Sequence, residues 1–240
     1  MQRFTLIFLC IAVLSCNNNT AKDTAKDKTV AVTTPVIETT NPLLGYWVGF
    51  LGDNKLNLSL QQVNGKEISG KSIAAGNYRD IKGSIEENSD AYVIHMTEPG
   101  DDKYDGRFDF TIKKSGMVCS GSWVPNDKTM KEKIFTCSKK EFTYKPDAGL
   151  YPEASQKLLA EDDVANLIKS DLRLMRNSIY ARHGYSFKMK DMRDEYDHEE
   201  WYIPVTTDVR NELTAIEKKN EVLLKRYEKY AADHYDDFGR

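Results

Sequence analysis

Arg176, Tyr180 and His183 stand at i, i+4 and i+7 in a segment of helical character, with Arg182 between them and Trp201 further along the chain. On a helix the three share one face. A guanidinium, a phenol and an imidazole arranged in this way could grip a carboxylate or a sugar hydroxyl, with Trp201 as a stacking platform. A structural reading stands beside this one. Arg182 and His183 complement the negative end of a helix, Gly184 takes a left-handed cap, and Tyr180 bonds locally.

Catalytic arrangements are harder to find. Asp191, Asp194 and Glu195 could pair as acid and base, but an acidic run interleaved with Arg193 reads as a solvated helix face. His95, His183, His198 and His234 lack zinc-ligand spacing, and His198-Glu199-Glu200 lacks the second histidine of a metalloprotease helix. No Gly-x-Ser-x-Gly, phosphate loop or dinucleotide fingerprint occurs, so neither a cofactor nor a metal is implied.

The elements that would carry these residues fall into two regions. Beyond Pro146, Leu172, Met175 and Ile179 recur with helical spacing, and Gly184 sits where a C-terminal cap belongs. A short acidic helix is expected within Met189–Tyr202. A longer one is expected from about Asp208 to Tyr230, with Leu213, Ile216, Asn220, Leu223 and Tyr227 on one stripe. Asn220 breaks that stripe, and an inward amide needs a partner.

Before Pro146 the period is two. Eight short runs between Gly45 and Lys140 are punctuated by turns such as Asn64-Gly65 and Pro125-Asn126-Asp127. Leu56, Leu58 and Leu60 alternate with Asn57, Ser59 and Gln61, which predicts one buried and one wet face. All links are of hairpin length, so an up-and-down barrel is favoured. Gly45-Tyr46-Trp47 resembles the Gly-x-Trp that opens lipocalins, although the arginine which lipocalins stack on that tryptophan has no counterpart beyond Lys139 and Lys140. The barrel either holds a ligand cavity or is filled by its own side chains. Cys119 and Cys137 fall at mirror positions on the last two runs, a register that suits a disulfide.

Leu172 to Phe187, containing Tyr180-Ala181-Arg182-His183-Gly184, followed by Trp201-Tyr202 and Ile216-Glu217-Lys218-Lys219-Asn220, resembles the YARHG domain. This is a small module of exported and lipid-anchored bacterial proteins. The resemblance covers about the last 90 residues. It implies an extracytoplasmic module associated with the cell envelope, with binding to the cell wall as the suggested role.

The chain opens with Arg3 and an apolar run from Phe4 to Leu14, then reaches Ser15-Cys16. A charged start and an apolar stretch of about 7–15 residues are the parts of a signal peptide. A small residue before cysteine resembles the lipobox of bacterial lipoproteins, with Cys16 taking the lipid. Asn17 to Asn41 is polar, repeats Ala-Lys-Asp and lacks aromatic residues, as a flexible tether would. Asn17 rather than Asp after the cysteine favours the outer membrane, on a face left undecided.

Lys and Arg total 34 and Asp and Glu 37 in 240 residues, a net charge of -3 that argues against a nucleic-acid partner. The C-terminal region from Tyr151 holds 15 basic and 19 acidic residues, whereas Asn41 to Leu150 balances at 15 and 15. The expectation is an α+β chain: signal peptide (1–15), tether (16–41), antiparallel eight-stranded lipocalin-like β-barrel (42–145) and small α-helical YARHG module (151–235). Its function is expected to be non-enzymatic binding of an envelope component such as peptidoglycan. The alternatives are an enzyme acting on wall material through His183 and a carboxylate, and a small-ligand-binding barrel.

Overall fold

Alternation of side chains is resolved by closure. The computed structural model describes residues 41–234. The expected signal peptide, the lipid-bearing Cys16 and the tether up to residue 40 lie outside the described residues. Strands β1 (Gly45–Leu51), β2 (Asn54–Asn64), β3 (Glu67–Ala74) and β4 (Asn77–Glu87) are followed by β5 (Ala91–Thr97), β6 (Gly106–Lys113), β7 (Val118–Pro125) and β8 (Lys133–Lys140). All pair antiparallel in chain order, and β8 returns to β1 to close the barrel. Closure leaves no open sheet edge.

The inward set of each strand forms one core, with Trp47, Leu56, Leu58, Leu60, Ile94 and Phe108 all buried. The barrel is therefore filled by its own side chains along its length. One end is sealed by the chain that enters it: Trp47 Nε1 donates to Leu43 O at 2.8 Å, and Leu43 is buried. Lys139 pairs opposite Trp47 and donates from Nζ to Pro42 O at 2.5 Å, which ties the same entry segment to β8.

Cys119 and Cys137 are directly opposed on β7 and β8, with Gly121 opposite Phe135 and Trp123 opposite Lys133. The expected disulfide between them is absent: both are free, buried thiols. The neighbouring Cys137, together with burial, pushes the Cys119 thiol up. The pair packs as small apolar core residues.

The outer face of β2 is not wet as the alternation predicts. Asn57 and Ser59 are buried, and so is Lys55, because the helical region packs over this side of the barrel. Lys55 Nζ donates to Glu199 O at 2.5 Å and Tyr202 O at 2.8 Å, while its N–H donates to Asp197 Oδ2 at 3.0 Å. Asn57 Nδ2 donates to Pro204 O at 2.8 Å, leaving its Oδ1 buried without a partner. Two turns join in: Arg193 Nε donates to Asn54 Oδ1 at 2.9 Å, and Gly76 N donates to Ser186 Oγ at 3.1 Å.

The helical region contains α1 (Glu153–Gln156), α2 (Lys169–Arg182), α3 (Lys190–Tyr196) and α4 (Ala215–His234), with a 3-10 turn at Glu161–Asp163. Helix α4 starts seven residues later than the expected Asp208. Thr214 and Glu217 form a capping box there: Thr214 N donates to Glu217 Oε2 at 2.9 Å and Glu217 N to Thr214 Oγ1 at 3.2 Å. Its buried stripe is Glu217, Asn220, Leu224 and Ala231, whereas Ile216 is 37% exposed. Asn220 has the partners an inward amide requires. Its Oδ1 accepts from Leu159 N at 2.9 Å, and its Nδ2 donates to Ala154 O and Lys157 O, each at 2.8 Å.

Burial lowers the Lys55 ammonium from 10.5 to about 8, outweighing the nearby Asp197 and Glu199 carboxylates. The unfolded chain then holds more protons than the folded one between those values, so this residue makes stability rise with pH across the window. Urea denaturation of wild type and Lys55→Met should show a wild-type advantage that grows from about pH 8 to about pH 10. An advantage that is flat or shrinks over that range would contradict the assignment.

Candidate functional site

Helix α2 ends in a Schellman cap built by the six residues Tyr180 to Tyr185. Tyr185 N donates to Tyr180 O at 3.1 Å and Gly184 N to Ala181 O at 2.9 Å. Gly184 takes φ +71°, and a Cβ there would lie 2.4 Å from Val205 Cγ2 and 2.8 Å from Ile203 O. The accompanying apolar contact is the Tyr180–Tyr185 ring pair, with centroids 6.0 Å apart. Tyr180 to Gly184 thus supply the last turn, the cap residue and the left-handed residue beyond it. Gly184 O then accepts from Val205 N at 2.8 Å and Thr206 N at 3.1 Å, which fastens the return segment.

Each side chain of this pentapeptide has a separate destination. His183 Nε2 lies 2.7 Å from Glu217 Oε2, both groups buried, and Tyr144 stacks on the imidazole with centroids 4.4 Å apart. Tyr144 also donates its hydroxyl to Glu217 Oε1 at 3.0 Å. Burial alone would raise the Glu217 carboxyl, but the His183 hydrogen bond and charge, with the Thr214 N–H, hold it below its usual value. Arg182 is buried and meets carbonyls rather than a carboxylate: Nε donates to Ala148 O at 2.9 Å and Nη2 to Leu150 O at 2.5 Å. Its Nη1 donates to Ser155 Oγ at 3.0 Å, so one guanidinium holds the whole approach to α1. Ala181 packs with Phe187, Met192, Tyr196 and Tyr202.

Tyr180 donates to Glu221 of α4, and Arg176 pairs with Glu228 through Nε at 2.5 Å and Nη2 at 3.0 Å. The shared face of Arg176, Tyr180 and His183 is therefore a polar seam, each residue matched by a glutamate of α4. Burial and the Glu221 bond push the Tyr180 hydroxyl up to about 12, so it is a donor at neutral pH. Trp201 lies elsewhere. It packs over Gly149, where a Cβ would come within 2.5 Å of the indole, and its Nε1 donates to Glu199 Oε2 at 3.1 Å.

The structure brings Arg176 and Tyr180 together in one open cleft of about 520 Å³ and leaves Arg182, His183 and Trp201 out of it. Tyr185 and Phe187 supply an aromatic wall, their rings 5.1 Å apart, and Arg173, Lys188, Arg210 and Lys225 add positive charge. Arg173 pairs with Asp191, Arg210 with Asp208 and Lys225 with Glu221, which fixes three of these cations in place. Arg173, Lys188, Tyr185 and Arg210 were not visible as site residues, because their convergence depends on three separate segments. The Glu217 partner did carry a local signal, the Thr-x-x-Glu capping pattern.

Residues 148–233 match the YARHG domain. The C-terminal helical region is a YARHG domain. No curated protein and no solved structure matches the chain. The pentapeptide that names the YARHG domain is here the cap of α2. Among the described residues no group of three or more His, Cys, Asp or Glu side chains is placed to hold a metal ion.

Two outcomes follow from the buried hub. Gly184→Ala should destabilise the chain by about 1–2 kcal/mol from the left-handed backbone alone, and more from the contact with Ile203 O, read as a lowered urea midpoint. A midpoint equal to wild type would show that the cap is dispensable. Because Glu217 titrates below its usual 4.5, the stability it confers is present above that value and lost as pH falls through the folded-state pKa. The advantage of wild type over Glu217→Gln in urea should therefore shrink on acidification from about pH 6 to about pH 3. An advantage that holds constant would remove Glu217 as the acid-sensitive group.

Proposed function

We propose that this chain is a lipid-anchored envelope protein whose YARHG domain binds a carboxylate-bearing wall component such as peptidoglycan without chemical turnover. The observation that carries the reading is the cleft beside α2. Five Lys and Arg residues line it against two acids, Asp208 and Glu221, with an aromatic wall behind them. Such a surface takes an anionic, partly apolar ligand. Counting the outside partners Asp191 and Glu228 as well, one positive charge remains in excess, and Lys188 forms no ion pair among the described residues. The lipobox-like Ser15-Cys16 and the polar segment after it support a membrane tether, with the outer membrane favoured by Asn17.

An enzymatic reading has less support. His183 and Glu217 are the pair an acid–base mechanism would need, but both are buried and already serve the two helix ends. An apolar cargo within the barrel meets a core filled by Leu, Ile, Phe and Trp side chains.

Retention on purified sacculi tests the proposal with the detergent-solubilised intact chain. Wild type should be retained, and Lys188→Ala with Arg210→Ala should weaken retention about tenfold, as expected for lost charge-assisted bonds at a partly exposed site. Both side chains are exposed, so the double variant keeps the fold. Absence of wild-type retention, or equal retention by the variant, defeats the reading.

A further inference from the structure

The barrel has a second end, opposite the one sealed by Leu43 and Trp47, and its chemistry differs from that of the filled core. Between the tips of β1, β3, β5 and β7 lies an open recess of about 260 Å³. At about 30 Å³ per water, that is the volume of roughly eight or nine waters, room for one small ring. Its apolar side is Trp123 and Phe108; its polar side is Glu98, Arg79, Asn77 and Asn54.

The polar groups are held in place yet retain bonding capacity. Glu98 Oε2 accepts from Gly106 N at 2.9 Å and Trp123 Nε1 at 3.1 Å, while Oε1 accepts from Ser72 Oγ at 2.7 Å. A carboxylate has about four acceptor sites, so one remains beyond these three donors. Arg79 is oriented by the buried Asp105 through Nη1, leaving its Nε and Nη2 donors. Asn54 accepts from Arg193 with its Oδ1, leaving its NH₂ donors. Trp123 is fixed by the same Glu98 that it donates to, and Lys133 Nζ lies 5.7 Å from its ring centroid.

We propose that this recess is a binding site for a small, neutral, hydroxyl-rich ring, a single sugar unit. Planar amide, guanidinium and carboxylate groups offer both donors and acceptors in fixed directions, which is what adjacent ring hydroxyls require. Trp123 and Phe108 back the recess from within the core, and the aromatic surface open to the C–H face of such a ring is Tyr104 at the rim, 57% exposed. A fatty acyl chain would leave Glu98 and Arg79 unanswered. Arg79 and Lys133 balance Glu98 and the buried Asp105, so no net charge selects an ion. The site is independent of the YARHG cleft. It nevertheless adjoins the domain junction, since Asn54 belongs to both the recess and the contact with Arg193.

Saturation-transfer NMR on the intact chain, titrated with N-acetylglucosamine, tests the assignment, with putrescine and decanoate as competing classes. Saturation transfer to the sugar is expected. It should be about tenfold weaker in affinity for Glu98→Gln, the size of a lost hydrogen bond to a charged group, and about threefold weaker for Asn77→Ala. Asn77 is exposed at the first residue of β4, so its variant decides the matter even if Glu98→Gln fails to fold. Absence of transfer to the sugar overturns the proposal, as does unchanged affinity in Asn77→Ala. Stronger binding of putrescine or decanoate overturns the ligand class. Affinity lost in the Lys188→Ala and Arg210→Ala variant but kept in Asn77→Ala would place the sugar in the YARHG cleft instead.

Discussion

Helix α2 can end where it does only because Gly184 accepts a positive φ. That single backbone conformation satisfies the last carbonyls of α2, turns the chain toward Tyr185, and exposes Gly184 O to Val205 and Thr206. It also places His183 at the cap, from where its imidazole reaches Glu217. Glu217 in turn closes the capping box of α4. One carboxylate thereby serves the end of one helix and the start of another. A buried charge of this kind is costly unless its lone pairs are answered, and here His183, Tyr144, Thr214 and Ser155 answer them.

The union of barrel and YARHG domain rests on the same economy of backbone carbonyls. The segment from Glu199 to Pro204 is irregular, so its carbonyls lack helical partners. Lys55 and Asn57 of β2 reach out of the barrel to supply donors to three of them. These contacts are directional, and a one-residue slip of β2 would send Lys55 and Asn57 inward and Leu56 outward. The polar junction thus fixes the register of the strand that it covers. Asn57 Oδ1 is the group left unanswered, at a cost set against the bond its Nδ2 makes.

How much of this was legible in the sequence depends on whether the determining contact is local. Strand alternation and hairpin punctuation are local, and all eight strands stand within a few residues of where those patterns put them. The glycine cap of α2 is local as well. Asn220 shows its need by interrupting an apolar stripe, although the amide's partners near α1 are remote. Ile216 was misplaced on that stripe because hydrophobicity alone was counted, and the buried neighbour is the charged Glu217. Asn57 and Ser59 read as solvent-facing because nothing within β2 announces that a second domain will cover them. The free thiols of Cys119 and Cys137 show the opposite limit: register was read correctly, but register alone does not form a bond.

A motif shared by a domain family invites the assumption that its residues are the ones that meet the ligand. The geometry of this chain separates the two roles. Arg182 and His183 are buried and held by carbonyls and by Glu217, so neither can turn outward without undoing a helix end. Tyr180 stands at the boundary, bonded to Glu221 yet lining the cleft. The groups that face solvent around it, Lys188, Arg210 and Tyr185, come from the segments that the cap positions. Their side chains can differ without disturbing Gly184 or Glu217, because the hub holds those segments through backbone bonds such as Ser186 N to Thr206 O at 2.7 Å. A hub that holds the cleft segments through backbone bonds keeps the fold independent of which side chains those segments present, so the residues by which the domain is recognised are those of the fold and not those of the cleft.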